Sequence, residues 1–191
     1  EVAVMRALAV EAHVPMDDLV VIGTPDQPKD LPVDMDEVHR VKAVYDPYYA
    51  EHCTDEAAPY DGIVEAIHLL HDAGVRCAVV SNKADVAVQR IVASVLPSLF
   101  DTQMGVTPDR ARKPAPDMVR ATMQRLGVDG SRAVYVGDTE IDFQTARNSG
   151  LDCISVDWGF RTHEFLERNG SSMIAHTPRD IYAFVCEGRH E

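Results

Sequence analysis

The sequence predicts an α/β domain built on a doubly wound parallel sheet, with a small helical domain in front of it. Short apolar runs, such as residues 133–136 and 152–156, alternate with longer segments whose apolar residues recur at helical spacing. The runs are apolar along their length, which is typical of strands covered on both faces of a parallel sheet. Glycine and proline residues between these segments mark their ends.

The helical domain is predicted over residues 1–57. This region contains helical patterns at 1–13 and 34–52 and little that could pair into a sheet. A loop rich in proline, residues 23–32, separates the two helices, and Pro47 could kink or break the second one.

The α/β core is predicted over residues 58–191, where strands and helices alternate without internal repeats. Its predicted helices cover 62–73, 84–95, 114–127, a segment ending at 150, 161–169 and 178–187, and its predicted strands cover 75–80, 100–106, 133–136, 152–156 and 173–174.

Composition excludes several kinds of partner. The 191 residues are 46% hydrophobic, which allows a proper core, and the net charge of −13 argues against nucleic acid. No apolar stretch is long enough to cross a membrane. The four cysteines are scattered, which indicates a reducing cytoplasm, and the eight histidines show no spacing typical of metal ligands. We therefore expect a cytoplasmic protein, and because no apolar stripe stands out as an interface, a monomer and a homodimer are both expected possibilities.

The most informative stretch is residues 133–142. A buried strand ends at Gly137 and Asp138, and Asp142 follows one helical turn later, so both carboxylates are expected on one face. Ligands bind at strand ends in α/β sheets, and paired carboxylates suit Mg²⁺. Acidic residues also cap helix N-termini and offset the helix dipole. These residues alone leave both explanations open.

Two further turns contain polar residues that could bind an anion. Ser81 and Asn82 end a buried strand and can present a hydroxyl and backbone N–H groups, although either could simply cap a helix. Pro114 holds Lys113 in an extended conformation, which would aim its ammonium from a stiff loop. Lys113 could equally be a surface lysine beside the start of a helix. Together with the acidic pair, these residues form a set suited to binding phosphate.

The motifs, in this order, resemble the haloacid dehalogenase-like hydrolase superfamily, and most closely its phosphoglycolate phosphatase-like members. The resemblance rests on V-V-S-N-K at 79–83, K-P-x-P at 113–116 and V-G-D-T-x-x-D at 136–142, supported by W-G-F-R at 158–161. It implies a Rossmann-like core, with residues 1–57 as a helical cap that covers the active site.

The resemblance also implies a role for each motif residue. Ser81, with the backbone around Asn82, would bind a phosphoryl oxygen, and Lys113 would neutralise charge between the phosphoryl group and the nucleophile. Asp138 would ligate Mg²⁺, and Asp142 would ligate the ion or orient a bound water. The expected reaction is hydrolysis of a small phosphorylated metabolite such as phosphoglycolate, by positioning and electrostatic stabilisation.

The family's first motif, a strand followed by D-x-D-G-T, is not found in the sequence. Its first aspartate would be the nucleophile that forms an aspartyl-phosphate, and its second the general acid/base. Asp34-Met35-Asp36 lacks the preceding strand and the following Gly-Thr, and is predicted to cap a helix. We expect that a strand and turn of roughly 15–25 residues is missing, and that the chain alone is inactive.

Other functions remain open on the same residues. A phosphosugar mutase of the superfamily would need a second acid/base in the cap, and a non-catalytic binding or regulatory domain would have lost its nucleophile. Dehalogenation is less favoured, because it leaves the acidic pair unexplained. Trp158, Phe160 and Arg161 are candidates for the wall of the cleft, although Trp158 could equally belong to the core.

Overall fold

A computed structural model of the chain describes residues 35–55 and 57–187. The helix predicted over 1–13 and the loop predicted over 23–32 lie outside the described residues, so the cap domain stays a prediction. Helix α1 (Met35–His52) is described, and it continues through Pro47. In the described part of the chain, no helix is long and apolar enough to cross a membrane.

After α1, strands and helices alternate in the predicted order, which confirms the α/β class. The helices are α2 (Ile63–Asp72), α3 (Asp85–Val95), α4 (Asp117–Leu126), α5 (Glu140–Ser149), α6 (His163–Arg168) and α7 (Pro178–Tyr182), and the strands are β1 (Ala78–Ala84), β2 (Thr102–Val106), β3 (Val134–Gly137), β4 (Asp152–Val156) and β5 (Ile174–Ala175). Helices α4 and α5 end at Gly127 and Gly150, as predicted, because both glycines adopt the left-handed conformation that closes a helix.

The strand pairs in the described residues are all parallel. Strand β1 pairs with β2, with Val80 opposite Met104, and β4 lies between β3 and β5, with Tyr135 opposite Cys153. The described strands thus form two parallel sheets, one of two strands and one of three. Their alternation with helices agrees with the predicted parallel core.

A cavity of about 450 Å³ lies between the two sheets. Ala78 and Val80 of β1 line one side, and Val134 and Val136 of β3 line the other. Side chains of α2 and α4 line much of the rest, together with Ile181 of α7 and residues of the connecting loops. The surface that faces this cavity is therefore largely apolar.

Strand β1 and the last helix differ from their predicted limits. Val75 N–H donates to the Leu70 carbonyl at 2.9 Å and closes α2, and Cys77 N–H donates to Asp101 Oδ2 at 2.8 Å, so pairing with β2 starts only at Ala78. The helix expected over 178–187 changes at Ala183 into a π-helical turn.

The end of β1 lies beside α1. The ammonium of Lys83 lies 5.4 Å from the centre of the Tyr49 ring, and Arg90 of α3 donates to the Ala50 carbonyl at 2.6 Å. The one described helix of the predicted cap therefore contacts the edge of the sheet at which β1 ends.

Candidate active site

Ser81 and Asn82 lie in the last, irregular part of β1. The pairing of β1 with β2 shifts register between Val80 and Ala84, and α3 begins only at Asp85. Because Ala84 is the N-cap of α3, the structure excludes helix capping as the role of Ser81 or Asn82. Both residues lie before the N-terminus of α3. The helix dipole would therefore contribute less to binding an anion at these residues than the sequence suggested.

The side chains of these two residues stabilise the turn itself. Ser81 is completely buried, and its Oγ accepts from Lys83 N–H at 3.1 Å. Asn82 Oδ1 accepts from Lys113 N–H at 2.8 Å, and Asn82 Nδ2 donates to the Lys113 carbonyl at 3.2 Å. The Asn82 side chain therefore fixes the backbone of the lysine, a role that the sequence did not reveal.

Lys113 points into the protein, so the surface explanation is wrong. Its side chain is 1% exposed, and Nζ donates to Asp142 Oδ1 at 2.8 Å and to Tyr135 Oη at 3.3 Å. Burial lowers the pKa of Lys113 below its ordinary value, and the nearby Asp142 and Asp138 carboxylates oppose that shift. The structure thus places a buried cation against a buried carboxylate.

Asp142 caps the helix, one of the two roles that the sequence left open, and it also pairs with Lys113. Its Oδ1 pairs with Lys113, and its Oδ2 accepts from Thr139 Oγ1 at 2.6 Å and from Thr139 N–H at 3.2 Å, which forms a capping box at the start of α5. Gly137 makes room for this side chain, because a Cβ at that position would lie 2.2 Å from Asp142 Cβ. One carboxylate therefore both begins the helix and positions the lysine.

Asp138 is fully buried at the end of β3. Its Oδ2 accepts from Phe160 N–H at 2.8 Å, so the loop after β4 contacts the end of β3. Gly159 permits this close approach, because a Cβ there would lie 2.2 Å from Asp138 Oδ2. The W-G-F-R segment thus supports the site through its backbone, which a sequence pattern of side chains could not show.

The buried charges of this site fit a divalent cation. Two carboxylates, Asp138 and Asp142, are buried with one ammonium, that of Lys113, so the negative charge exceeds the positive. Buried charge needs compensation, and carboxylate oxygens are ligands that Mg²⁺ prefers. Asp138 could hold such an ion directly, whereas both oxygens of Asp142 are engaged by Lys113 and Thr139, which favours contact through a water.

The three candidates for the cleft wall have different surroundings. Trp158 is partly buried and packs against buried apolar residues of the core. Phe160 is 55% exposed. Arg161 pairs with Glu140 at the start of α5 through two hydrogen bonds, of 2.8 Å and 2.5 Å. Phe160 and Arg161 thus flank the site, and Trp158 belongs to the core.

Sequence reasoning missed two residues that contact the site. Thr139 Oγ1 donates to Asp142 Oδ2. The sequence did contain a signal for this contact, because a threonine three residues before an acidic residue is typical of a capping box at a helix start. Tyr135 Oη lies 3.3 Å from both Lys113 Nζ and Asp142 Oδ1. The position of Tyr135 on a buried strand gave no sign of this contact.

The fold and the position of this cluster define the class of protein. Lys113, Asp138 and Asp142 meet at the carboxyl ends of parallel strands, where the active sites of α/β enzymes lie. Residues 20–156, more than half of the chain, match the family described as haloacid dehalogenase-like hydrolase. The chain belongs to this family.

Several relatives are known by name. The phosphoglycolate phosphatase of Mesorhizobium japonicum is 30% identical over 145 residues, which are 75% of this chain and 64% of the relative. The N-acetylmuramic acid 6-phosphate phosphatase of Pseudomonas aeruginosa is 29% identical over 79% of this chain and 68% of the relative. A solved structure from Lactobacillus delbrueckii subsp. bulgaricus, assigned as a phosphoglycolate phosphatase, is 42% identical, with a TM-score of 0.80 over 97% of this chain and 79% of that chain.

The match does not extend over the whole of the first relatives. It spans less than two thirds of the phosphoglycolate phosphatases of Mesorhizobium japonicum and Caulobacter vibrioides, 64% and 63% of their lengths. The family of this chain is therefore established, whereas the activity and the substrate of the whole protein are proposals.

Proposed function

We propose that the protein is a Mg²⁺-dependent phosphatase that acts on a small phosphorylated metabolite. The observation that carries the proposal is the buried Lys113–Asp142 pair beside Asp138, because a fixed cation and two carboxylates suit a phosphoryl group and a divalent ion. Phosphoglycolate is the leading substrate, because three of the similar proteins described above are named as phosphoglycolate phosphatases.

In the proposed reaction, an aspartate oxygen attacks the phosphorus atom, and the bond between phosphorus and the ester oxygen breaks. The leaving alcohol takes up a proton, and water then cleaves the acyl phosphate to regenerate the carboxylate and release inorganic phosphate. Ser81 Oγ would donate to a phosphoryl oxygen, and Lys113 would stabilise the negative charge that the phosphoryl oxygens carry. When bound at Asp138, Mg²⁺ supplies further positive charge to those oxygens.

The nucleophilic aspartate is proposed to lie on a strand outside the printed sequence, since D-x-D-G-T does not occur within it. The apolar cavity between the two sheets supports this part of the proposal. An additional strand in that cavity, between β1 and β3, would join the sheets and bring its carboxyl end close to Ser81 and Asp138. The printed chain alone is therefore expected to be inactive.

We further propose a cytoplasmic enzyme, monomeric or homodimeric, with neither a nucleic-acid nor a membrane partner. The net charge of −13 opposes binding to phosphate backbones. The four cysteines, Cys53, Cys77, Cys153 and Cys186, are all free thiols, which suits a reducing compartment.

The test is hydrolysis of a panel of phosphate esters by the protein with its natural N-terminus, with and without Mg²⁺. Asp138→Asn removes a buried carboxylate, and Asp152→Asn makes the same change at an exposed position of β4. We expect Mg²⁺-dependent release of phosphate from the wild type and from Asp152→Asn, and none from Asp138→Asn.

Each other outcome contradicts a named part of the proposal. Activity in a chain verified to start at Glu1 would exclude a nucleophile on a further strand. Transfer of phosphate within a sugar phosphate, without its release, would indicate the mutase. No turnover of any ester by the complete protein would favour a non-catalytic domain.

A further inference from the structure

We propose that Asp157, His163 and His176 bind a transition metal ion such as Zn²⁺, at a site separate from Asp138 and Asp142. One ligand atom from each of the three residues lies within 4.8 Å of the other two. Asp157 follows β4, His163 begins α6 and His176 follows β5. Among residues 35–55 and 57–187, no other three histidine, cysteine or acidic residues are so arranged.

The backbone fixes the positions of these residues. Asp157 N–H donates to the Ala175 carbonyl at 3.3 Å, which continues the pairing of β4 with β5 and places Asp157 close to His176. His176 N–H donates to Asp180 Oδ2 at 2.9 Å. The cluster therefore arises at the shared carboxyl edge of two parallel strands, and it does not depend on the conformation of a long surface side chain.

His163 provides an independent reason to expect a cation. Its Nδ1 is buried, has no hydrogen-bond partner and lies 3.4 Å from Asp157 Oδ2. Its Nε2 lies 3.3 Å from Glu167 Oε1, one turn further along α6. When the ring proton is on Nε2, facing Glu167, Nδ1 presents a lone pair to the carboxylate of Asp157. In that tautomer, either a metal ion or a second ring proton would supply the positive charge that these two acceptors lack.

The distances fit a metal ion in that place. Bonds of about 2.0 Å at tetrahedral angles put two ligand atoms about 3.3 Å apart, and Asp157 Oδ2 and His163 Nδ1 are separated by 3.4 Å. His176 Nδ1 lies 2.5 Å from the same Oδ2 as a hydrogen-bond partner. That separation is too short for two ligands of one ion, so His176 would have to move outward, which its 61% exposed side chain allows.

The ligand types indicate which ion fits. Two imidazoles and one carboxylate favour Zn²⁺ and its neighbours over Mg²⁺, which prefers oxygen ligands alone. Glu167 beside the second nitrogen of His163 completes the carboxylate–histidine–metal arrangement that orients such ligands. Water would occupy the remaining coordination position.

The proposed ion would also stabilise the loop beside the candidate active site. Asp157 begins the segment whose Phe160 N–H donates to Asp138 Oδ2 at 2.8 Å. A metal bond at Asp157 would thus limit the motion of a loop that supports Asp138. The binding of the ion does not depend on phosphatase activity, so it can be measured separately.

The experiment is a titration of the metal-free protein with Zn²⁺ against a chromophoric chelator, in excess Mg²⁺ that competes for sites made of oxygen alone. We expect one tight equivalent in the wild type and a loss of affinity of about tenfold or more in His163→Ala and His176→Ala. His68→Ala, at an exposed histidine of α2, is the matched control and should bind as the wild type does. Asp138→Asn should also leave the affinity for Zn²⁺ unchanged.

A second readout uses Co²⁺, whose visible absorption reports imidazole ligation. The band should appear in the wild type and be lost in His176→Ala, which is expected to fold because that side chain is largely exposed. Circular dichroism checks the folding of each variant. The proposal is overturned if the wild type binds no stoichiometric Zn²⁺, or if binding survives both histidine substitutions.

Discussion

Lys113 Nζ lies 2.8 Å from Asp142 Oδ1, and neither side chain is more than 1% exposed. Water cannot screen or solvate this pair, so each charge depends on the other and on the bonds around it. The bonds from Asn82 to the backbone of Lys113, and from Thr139 to Asp142, hold the two ends in place. The pair is therefore both a structural element and the centre of the candidate site.

The two members of this pair are expected to be coupled, so that their removal is not additive in the free energy of unfolding. Lys113→Met leaves the Asp142 carboxylate buried without its cation, which should cost about 3–5 kcal/mol of the free energy of unfolding. Adding Asp142→Asn to Lys113→Met should cost less than the sum of the two single changes. Urea denaturation of the two single variants and the double variant measures this coupling.

Arg110 provides the control for that measurement. It donates to Asp85 Oδ1 at 2.9 Å, and both side chains remain more than a quarter exposed. Arg110→Met is therefore expected to cost no more than about 1 kcal/mol. Equal losses of the free energy of unfolding in Lys113→Met and Arg110→Met would show that burial does not make the Lys113–Asp142 pair more important for stability.

Two capping boxes allow stability and activity to be separated. Thr139 with Asp142 begins α5, and Thr177 with Asp180 begins α7. Thr139→Ala and Thr177→Ala should each lower the free energy of unfolding by about 1 kcal/mol. Only Thr139→Ala is expected to reduce phosphate release, because only Asp142 also positions Lys113. Equal activities in the two variants would show that the Thr139 bond does not matter for catalysis.

The order of elements was predictable because each depends on local patterns. Apolar runs gave the strands, and Gly127 and Gly150 gave two helix ends, since left-handed backbone favours glycine. The limits of β1 were not predictable, because the bond from Cys77 N–H to Asp101 depends on a residue 24 positions away. The irregular pairing after Val80 likewise depends on the register of β2.

The residues that form the site could be predicted from the sequence, but the atoms that each of them contacts could not. Asp138, Asp142 and Lys113 follow from motif and order, whereas the bond from Asn82 to the Lys113 backbone spans 31 positions of the sequence. No metal site was predicted at His163 and His176, because their separation in sequence resembles no ligand spacing. They meet Asp157 only because β4 and β5 end at the same edge.

Burial should make Cys153 unreactive while the protein is folded. Burial, reinforced by the Asp142 carboxylate, raises the pKa of this thiol from its ordinary 9.0 to about 12. Since the thiolate is the reactive form, labelling at pH 8 should be roughly a hundredfold or more slower in the native protein than in urea. Mass spectrometry of the labelled peptides measures each site, with the partly exposed Cys186 as internal reference.

The same shift predicts how stability depends on pH. The native thiol keeps its proton above pH 9.0, where the unfolded thiol begins to lose it, so the contribution of Cys153 falls as pH rises towards 12. Cys153→Ala is expected to lose less stability than the wild type between pH 8 and pH 10. Parallel stability curves for the two proteins would contradict the raised pKa.

Gly159→Ala is expected to damage the site more than a single methyl group usually does. The new Cβ would lie 2.2 Å from Asp138 Oδ2, so either the carboxylate must rotate or the loop must withdraw, and in both cases the bond from Phe160 N–H is lost. Gly130→Ala is the control, because its Cβ would lie 3.3 Å from the end of the Leu151 side chain and 3.6 Å from the Gly150 carbonyl oxygen, an ordinary contact distance. We expect Gly159→Ala to lower kcat at least about tenfold, since a small misplacement at a catalytic centre has large effects on rate. Gly130→Ala should leave kcat within about twofold of the wild type, as substitutions away from such contacts usually do. If both variants retain full activity, the contact between Phe160 and Asp138 is not needed for the proposed reaction.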